Sequence, residues 1–268
     1  MTSLSLRVLV LFLGVSLPAT IGASVLPEEL AAARRWSAAM FDAPPSGGPD
    51  AEPGFAPTPP PFSFLSDGAS TSAWFREEGV RRASRTLDAS RTERTLELRD
   101  AASGLVVRCV AVEYHDFPVI EWTLHFQNTG TSDSPLLSDI QALDASWQCR
   151  TQGNWVLHHH RGDDCTPDSY APRRLVLAPG SEHRFAPTGG RPTTGAFPYF
   201  NIEQPGGGVV VAVGWPGQWA AQFTRDTTNG LRLRAGQERT RFRLRPGESV
   251  RSPLIVLQFW KGDREKIG

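Results

Sequence analysis

The sequence predicts an all-β protein whose main part is one large antiparallel β-sandwich. Short segments rich in β-branched and aromatic residues recur along the chain, separated by turns of Gly, Pro, Asn and Asp. Two of them, at 119–126 (VIEWTLHF) and 239–247 (RTRFRLRPG), alternate apolar and polar residues, as strands with one buried face do. Only one segment has a helical pattern. The strands are therefore expected to pack on other strands.

Residues 1–23 have the pattern of a secretory signal peptide. Arg7 precedes an apolar stretch at 8–17, and small residues follow at 22–24, with cleavage expected near Ala23. A membrane anchor is disfavoured because the apolar stretch is far shorter than the roughly 20 residues that a spanning helix needs. We therefore expect a secreted or periplasmic protein without a membrane partner.

Residues 24–60 are predicted to contain one short helix and a linker. In the segment Pro27–Phe41, apolar residues recur near helical spacing, and two glutamates lie in the first turn. The segment at 43–61 is dominated by Pro, Gly and Ala, which neither pack a core nor continue a β-ladder. The expected arrangement is a docking helix joined to the sandwich by an extended strap.

Residues 61–263 are predicted to form the sandwich, and 264–268 a C-terminal tail. Turn residues bound each expected strand. The expected strands lie at 63–65, 73–76, 92–99, 105–114, 119–128, 136–143, 154–160, 173–177, 182–186, 209–215, 219–224, 231–234, 239–244 and 249–259.

The charge balance excludes two classes of partner. The chain has 28 basic and 28 acidic residues, so its formal net charge is zero. No overall field draws such a protein to nucleic acid or to an anionic membrane surface.

Three cysteines are too few for a disulfide framework in an exported domain. Cys149 and Cys165 flank the histidine-rich loop, and a bridge between them is left open. Cys109 lies in an apolar strand pattern and is expected to be a buried thiol.

The densest polar cluster is HHHRGDDCTPDSYAP at 158–172. Adjacent strand residues point to opposite faces, so His158 and His160 converge whereas His159 does not join them. No metal-binding motif is present, and we expect neither a metal nor another cofactor. Two interpretations remain: a strand end whose turn side chains cap backbone groups, or a loop that offers His160, Asp163 and Asp164 to a sugar or a neighbouring domain.

A second cluster, TGGRPTTGAFPYFNIEQPGGG with the following VVVAVGWPGQW, combines Gly and Pro with several aromatic residues. Trp215 and Trp219 are candidates for stacking on a pyranose ring. Aromatic side chains also stack on each other when they close the core of a sandwich, so both interpretations apply to this segment. We expect core packing for most of these aromatic residues, with Trp219 as the exception.

Nucleophilic catalysis finds no support in the sequence. There is no GxSxG, no P-loop and no GxGxxG followed by a helix. Glycoside hydrolysis needs two carboxylates about 5 to 10 Å apart, and no convincing pair is evident.

Five separate segments, in one order along residues 61–263, carry a resemblance to a known family. They are FPVIEWTLHFQNTG (117–130), LLSDIQALD (136–144), HHHRGDD (158–164), GAFPYFNIEQPGGGVVVAVGWPGQWAAQF (195–223) and LRPGESVRSPLIVLQFWKGD (244–263). Together they resemble the N-terminal domain of family 36 glycoside hydrolases, the bacterial α-galactosidases. The resemblance implies a galactose-mutarotase-like β-supersandwich that precedes a (β/α)₈ barrel, and this barrel supplies both catalytic aspartates of a retaining mechanism.

The sequence ends at KGDREKIG without a following βα repeat, so neither catalytic aspartate has a counterpart in it. We expect a stand-alone sandwich, the product of a truncated gene, or one half of a split enzyme. Three hypotheses on function follow: a non-catalytic accessory domain that packs on a barrel, assists homo-oligomer formation or lines the sugar site; an independent carbohydrate-binding module; and an enzyme with an unrecognised site in the sandwich. An α-galactoside-type carbohydrate and a separate or downstream barrel are the partners that the resemblance implies.

Overall fold

The computed structural model describes residues 25–42, 60–70, 80–149 and 153–262. The predicted signal peptide, nearly all of the Pro- and Gly-rich linker, the strand expected at 73–76 and the C-terminal tail lie outside these residues.

The described residues form one helix and seventeen strands. The helix α1 (Pro27–Phe41) has the predicted bounds. The strands are β1 (Ser63–Ser66), β2 (Ala69–Ser70), β3 (Val80–Asp88), β4 (Arg91–Arg99), β5 (Leu105–Tyr114), β6 (Val119–Asn128), β7 (Leu137–Gln148), β8 (Trp155–His160), β9 (Pro172–Leu177), β10 (Glu182–Phe185), β11 (Tyr199–Gln204), β12 (Gly207–Gly214), β13 (Trp219–Arg225), β14 (Gly230–Gln237), β15 (Arg241–Phe242), β16 (Ser249–Arg251) and β17 (Leu254–Lys261).

The strands pair into two antiparallel sheets, which confirms the predicted all-β sandwich. Within the described residues, the larger sheet has the order β3-β4-β5-β6-β17-β12-β11-β8-β9, and β16 also pairs with β6. The smaller sheet has the order β10-β13-β14-β7-β1-β2, and β15 also pairs with β7. The edge strands β9 and β10 are consecutive in the chain but belong to different sheets.

The core lies between the inner faces of the two sheets, where alternate side chains are buried. Two indoles cross it to reach the opposite layer. Trp122 on β6 donates its Nε1–H to the carbonyl of Ala142 on β7 at 2.8 Å. Trp155 on β8 donates to the carbonyl of Asn229 at 3.1 Å. These bonds satisfy polar groups that burial would otherwise leave unpaired, and they fix the spacing of the sheets.

Helix α1 extends the smaller layer over the inner face of the larger sheet. The Trp36 ring stacks on Trp122 with a centroid separation of 5.4 Å, and it also contacts Phe259 at 6.0 Å. The Ser37 hydroxyl donates to the buried Glu113 carboxylate at 2.7 Å. The helix therefore closes the part of the core that strands leave uncovered.

The cysteines lie in different environments. Cys109 is fully buried on β5, as predicted. Cys149 is buried directly after β7, whereas Cys165 is exposed in the loop after β8. The structure does not contain the Cys149–Cys165 bridge that the sequence left open.

Candidate functional site

The two clusters that the sequence singles out separately come together at Gly162. The Asp163 N–H donates to the carbonyl of Thr193 at 2.6 Å, and Arg161 forms an isolated β-bridge with Ala196. A β-carbon on Gly162 would overlap the backbone of this facing segment. The absence of a side chain at Gly162 therefore allows the Asp-rich loop and the Gly-rich segment to form one surface.

Strand β8 sends its histidines to opposite faces. The His159 ring contacts Phe185 of β10 at a centroid separation of 4.6 Å, so His159 points between the sheets. Because side chains alternate along a strand, His158 and His160 point outward. His158 Nε2 lies 2.5 Å from the Glu203 carboxylate on β11.

Four rings form a cluster on the outer face beside the Asp-rich loop. Phe197 is its centre: it stacks on Tyr199 at 5.1 Å, and it contacts Tyr170 edge-on at 5.4 Å and His160 at 6.1 Å. Tyr170 and Tyr199 are 45% and 50% exposed. Large rings held partly exposed by neighbouring rings present an apolar surface to a ligand. We call His160, Tyr170, Phe197 and Tyr199 the aromatic cluster.

Both aspartates of the predicted site stabilise the loop itself. The Asp163 carboxylate accepts hydrogen bonds from the Cys165 N–H at 2.9 Å and from the Ser169 hydroxyl at 3.2 Å. The Cys165 bond is the first cause that holds the pKa of Asp163 below its ordinary value, because hydrogen bonds favour the ionised form. Asp164 accepts from the Arg161 guanidinium at 2.8 Å. Asp163 thus caps a backbone group of the turn, one of the two interpretations that the sequence allowed, whereas Asp164 forms an ion pair within the loop.

The two predicted tryptophans occupy different environments. Trp215 is half-buried, and the guanidinium of Arg251 lies 5.7 Å from its ring centroid. Trp219 is fully buried, contacts Phe200 at 5.9 Å and donates to the carbonyl of Pro192 at 2.7 Å. This placement corrects the expectation that Trp219 is the exposed exception, because Trp219 shares the inward face of β13 with Ala221 and Phe223.

Sequence reasoning missed three members of the aromatic cluster as site residues. Most aromatic residues of the second cluster, to which Phe197 and Tyr199 belong, were expected to pack in the core, and Tyr170 was not among the predicted site residues. The alternation in FPYF carries the signal that distinguishes them: Phe200 is buried, so Tyr199 must face outward.

The histidines and acids of the described residues do not assemble a metal centre. No group of three His, Cys, Asp or Glu side chains there is arranged to hold an ion. In the same part of the chain, no helix is both long and apolar enough to cross a membrane.

Comparison with solved structures places the fold beside that of family 36 α-galactosidases. A variant of AgaA from Geobacillus stearothermophilus, solved in complex with raffinose, superposes with a TM-score of 0.53 at 18% identity, over 76% of this chain and 30% of that one. The α-galactosidase of Lactobacillus brevis gives 0.59 at 12% identity, over 78% and 30%. The galactosidase domain of the α-galactosidase-sucrose kinase AgaSK gives 0.56 at 17% identity, over 74% and 29%.

The similarity is one of fold, and it involves one domain of those enzymes. This chain spans about 30% of the length of the α-galactosidases it matches, a share that corresponds to their N-terminal domain. No protein-family model matches the sequence, and no curated protein does.

Proposed function

We propose that this chain is the non-catalytic N-terminal β-sandwich domain of an α-galactosidase-like glycoside hydrolase, which packs on a (β/α)₈ barrel or lines its sugar site. One observation carries the proposal. About three quarters of the chain superposes on α-galactosidases while covering only about 30% of each. A sandwich that corresponds to a single domain of these enzymes is expected to support a sugar site that a second domain completes.

The carboxylates of the candidate site support a non-catalytic role. A retaining glycosidase holds two carboxyl groups about 5 to 5.5 Å apart across the sugar, one as nucleophile and one as acid. Here Asp163 accepts from Cys165 and Ser169, and Asp164 pairs with Arg161. Carboxylates committed to loop hydrogen bonds are poor candidates for attack on an anomeric carbon.

An activity assay tests this function. The purified chain is incubated at high concentration with an aryl α-galactoside, and the expected result is no turnover above background. Turnover that Asp163→Asn or Asp164→Asn abolishes would show that the sandwich is itself the enzyme. The variant Asp133→Asn, an exposed acid outside the site, controls for a general effect of losing a carboxylate.

A second candidate function, carbohydrate binding by the sandwich itself, is favoured by the aromatic cluster. Tyr199 and Tyr170 expose about half of their surface while Phe197 holds them in place. Exposed rings next to hydrogen-bonding side chains are suited to stacking on the apolar face of a pyranose. His160 lies at the edge of the same surface.

A titration tests the second function. Raffinose added to the chain is expected to perturb tyrosine fluorescence saturably, and Tyr199→Ala is expected to weaken binding about tenfold, the equivalent of about 1.4 kcal/mol. Phe117→Ala is the matched control, because Phe117 is 57% exposed in the turn between β5 and β6. Equal effects of the two substitutions would contradict binding at the aromatic cluster.

Export is part of the proposal, because residues 1–23 have the signal-peptide pattern. Exported protein is expected to begin near Ser24, which leaves α1 in the mature chain. Intact-mass measurement of secreted or periplasmic material checks this. A mass that retains the segment from Met1 would contradict it.

A further inference from the structure

A cleft of about 460 Å³ opens where the two sheets end side by side. Its walls are β8 and the edge strand β9 of the larger sheet and the edge strand β10 of the smaller one. In the register of β8 and β9, Arg173 lies opposite His159, so the two side chains share the inner face. The cleft thus occupies the open edge of the sandwich.

Among the residues that the structure describes, the polar lining of the cleft is entirely basic. It consists of His159, His160, Arg161, Arg173, Arg174, His183 and Arg184, and no acidic residue of the described ranges lines it. Two of these guanidiniums are partly neutralised from outside, Arg161 by Asp164 at 2.8 Å and Arg184 by Glu238 at 2.6 Å.

Arg173 and Arg174 differ from the other two arginines. Neither forms an ion pair with any residue that the structure describes. Both lie on β9 at the edge of the larger sheet. Within the described ranges, the positive charge of these two arginines at the cleft has no acidic partner, although the net charge of the protein is zero. A concave basic surface attracts anions.

The rest of the lining indicates the shape of the ligand. Leu175 and Phe185 give the cleft an apolar part between the guanidiniums. The volume lies in the range of about 300 to 1,000 Å³ that small-molecule sites occupy. His160 is shared with the aromatic cluster. A ligand of one or two rings, with an apolar face and an anionic substituent, fits this lining and volume better than a bare ion does.

We propose that this basic cleft binds an anionic saccharide, through a carboxylate or a sulfate held by Arg173, whose side chain lies on the inner face. Arg174 pairs with His158 in the register and points to the outer face, so it adds positive charge at the rim of the cleft. Guanidinium groups bind both anions in a two-point geometry, with charge-assisted hydrogen bonds. The inference goes beyond the proposed function, because it requires neither a barrel nor stacking on Tyr199.

The test is a calorimetric titration at fixed ionic strength with four probes: galacturonate, galactose 6-sulfate, galactose and inorganic sulfate. At least one anionic sugar is expected to bind at least tenfold more tightly than both galactose and inorganic sulfate. The comparison of the two anionic sugars distinguishes a carboxylate from a sulfate. Equal affinity for galactose, equal affinity for inorganic sulfate, or no binding would overturn the proposal.

Substitutions locate the site. Arg173→Gln is expected to weaken binding of the anionic sugar about tenfold, the loss typical of a charge-assisted hydrogen bond. Arg174→Gln, on the outer face of β9, is expected to weaken binding less than Arg173→Gln does. Arg81→Gln is the matched control, since Arg81 is exposed on β3 at the opposite edge of the sheet, and it is expected to leave binding unchanged. An equal effect of Arg81→Gln would mean general electrostatic attraction and would overturn the assignment.

Two further measurements keep this proposal separate from the others. Circular dichroism verifies that each arginine variant is folded. Tyr199→Ala is expected to leave the affinity for the anionic sugar unchanged. A loss of affinity as large as that of Arg173→Gln would place the ligand at the aromatic cluster and would contradict binding in the basic cleft.

Discussion

Gly162 connects the Asp-rich loop to the segment that carries Phe197, and the connection depends on its lack of a side chain. The backbone of Thr193, Gly195 and Ala196 occupies the space where a β-carbon would lie. Backbone atoms cannot move aside by a change of rotamer, so a substitution at Gly162 must separate the two segments.

Gly162→Ala is therefore expected to lower the free energy of unfolding by about 3 kcal/mol. The amide of Asp163 is expected to lose its protection against hydrogen exchange, because its bond to Thr193 breaks. Denaturant unfolding and amide exchange measure the two effects. Gly217→Ala is the control: its β-carbon would meet the Trp215 indole nitrogen at 3.3 Å, and the expected change is within about 1 kcal/mol.

His159 is a basic group on the inner face of the sandwich. Burial is the first cause that lowers the pKa of His159, and the nearby charges of His160 and Arg173 lower it further, against a hydrogen bond from the His159 ring to the His160 backbone that raises it. The folded chain therefore prefers the neutral imidazole. Protonation favours the unfolded state, so stability falls as the pH falls through the ordinary histidine range toward the lower folded pKa.

His159→Phe is expected to reduce the pH dependence of stability between about pH 8 and about pH 5, because it removes one group that takes up its proton more readily when unfolded. Other groups, including His125 with its lowered pKa, remain in the variant and set the residual slope. Denaturant unfolding at several pH values provides the measurement. Identical slopes for the original chain and the variant would contradict the assignment to His159.

At the scale of elements, residues with a buried face were predictable and residues exposed on both faces were not. The bounds of α1, β5 and β6 match the predictions, because in each the burial pattern follows the periodicity of the sequence. Strand β3 was missed because nearly all of its residues are exposed, which leaves no alternation to detect.

Proline explains two further differences between predicted and observed strands. The expected strand at 249–259 is two strands, β16 and β17, because Pro253 cannot donate to the ladder. Both still pair with β6, and the Ser252 hydroxyl accepts from the Leu124 N–H at 2.9 Å between them. Strand β11 was not predicted, because Pro198 directly precedes its first residue, Tyr199, in a segment rich in Gly and Pro.

The buried ring of Trp36 and a buried polar contact at Glu113 are two of the contacts that dock α1. Trp36 is 1% exposed between Trp122 and Phe259. Glu113, also buried, accepts from Ser37 at 2.7 Å and from the Arg94 guanidinium at 2.8 Å. The helix thus covers apolar surface and partly satisfies a charge that would be costly to bury alone.

Trp36→Ala is expected to destabilise the chain by about 3 to 5 kcal/mol, the cost of removing a large aromatic side chain from a core. Thermal or denaturant unfolding measures the loss. Arg35→Ala, at an exposed position of the same helix, is expected to stay within about 0.5 kcal/mol of the original chain. If the two variants lost equal stability, the helix would not be part of the core.

At the scale of the whole molecule, the sequence predicts which segments form the candidate site but not how these segments contact each other. Both clusters around the site were recognisable from composition. Their junction at Gly162 depends on contacts between positions about thirty residues apart, which periodicity does not encode. The basic cleft was likewise not predictable, because it forms between the edges of two different sheets.

The position of Cys109 makes its thiol a probe for the unfolding of the entire sandwich. It is fully buried on β5, and its register partners are Leu96 on β4 and Leu124 on β6. Burial raises the pKa of its thiol well above the ordinary value, which further suppresses the reactive thiolate. Cys165, by contrast, is exposed in the loop beside the site.

Alkylation of the native chain is therefore expected to modify Cys165 rapidly and Cys109 only through global unfolding. The reason is that the strands around Cys109 cannot separate without opening the inner face of the larger sheet, so its labelling requires the full free energy of unfolding. Peptide mapping after timed alkylation at increasing denaturant measures both rates. The labelling rate of Cys109 should follow the unfolded fraction, while that of Cys165 should change little. Fast native labelling of Cys109 would mean that the larger sheet opens locally, and that the two layers and α1 do not unfold as one cooperative unit.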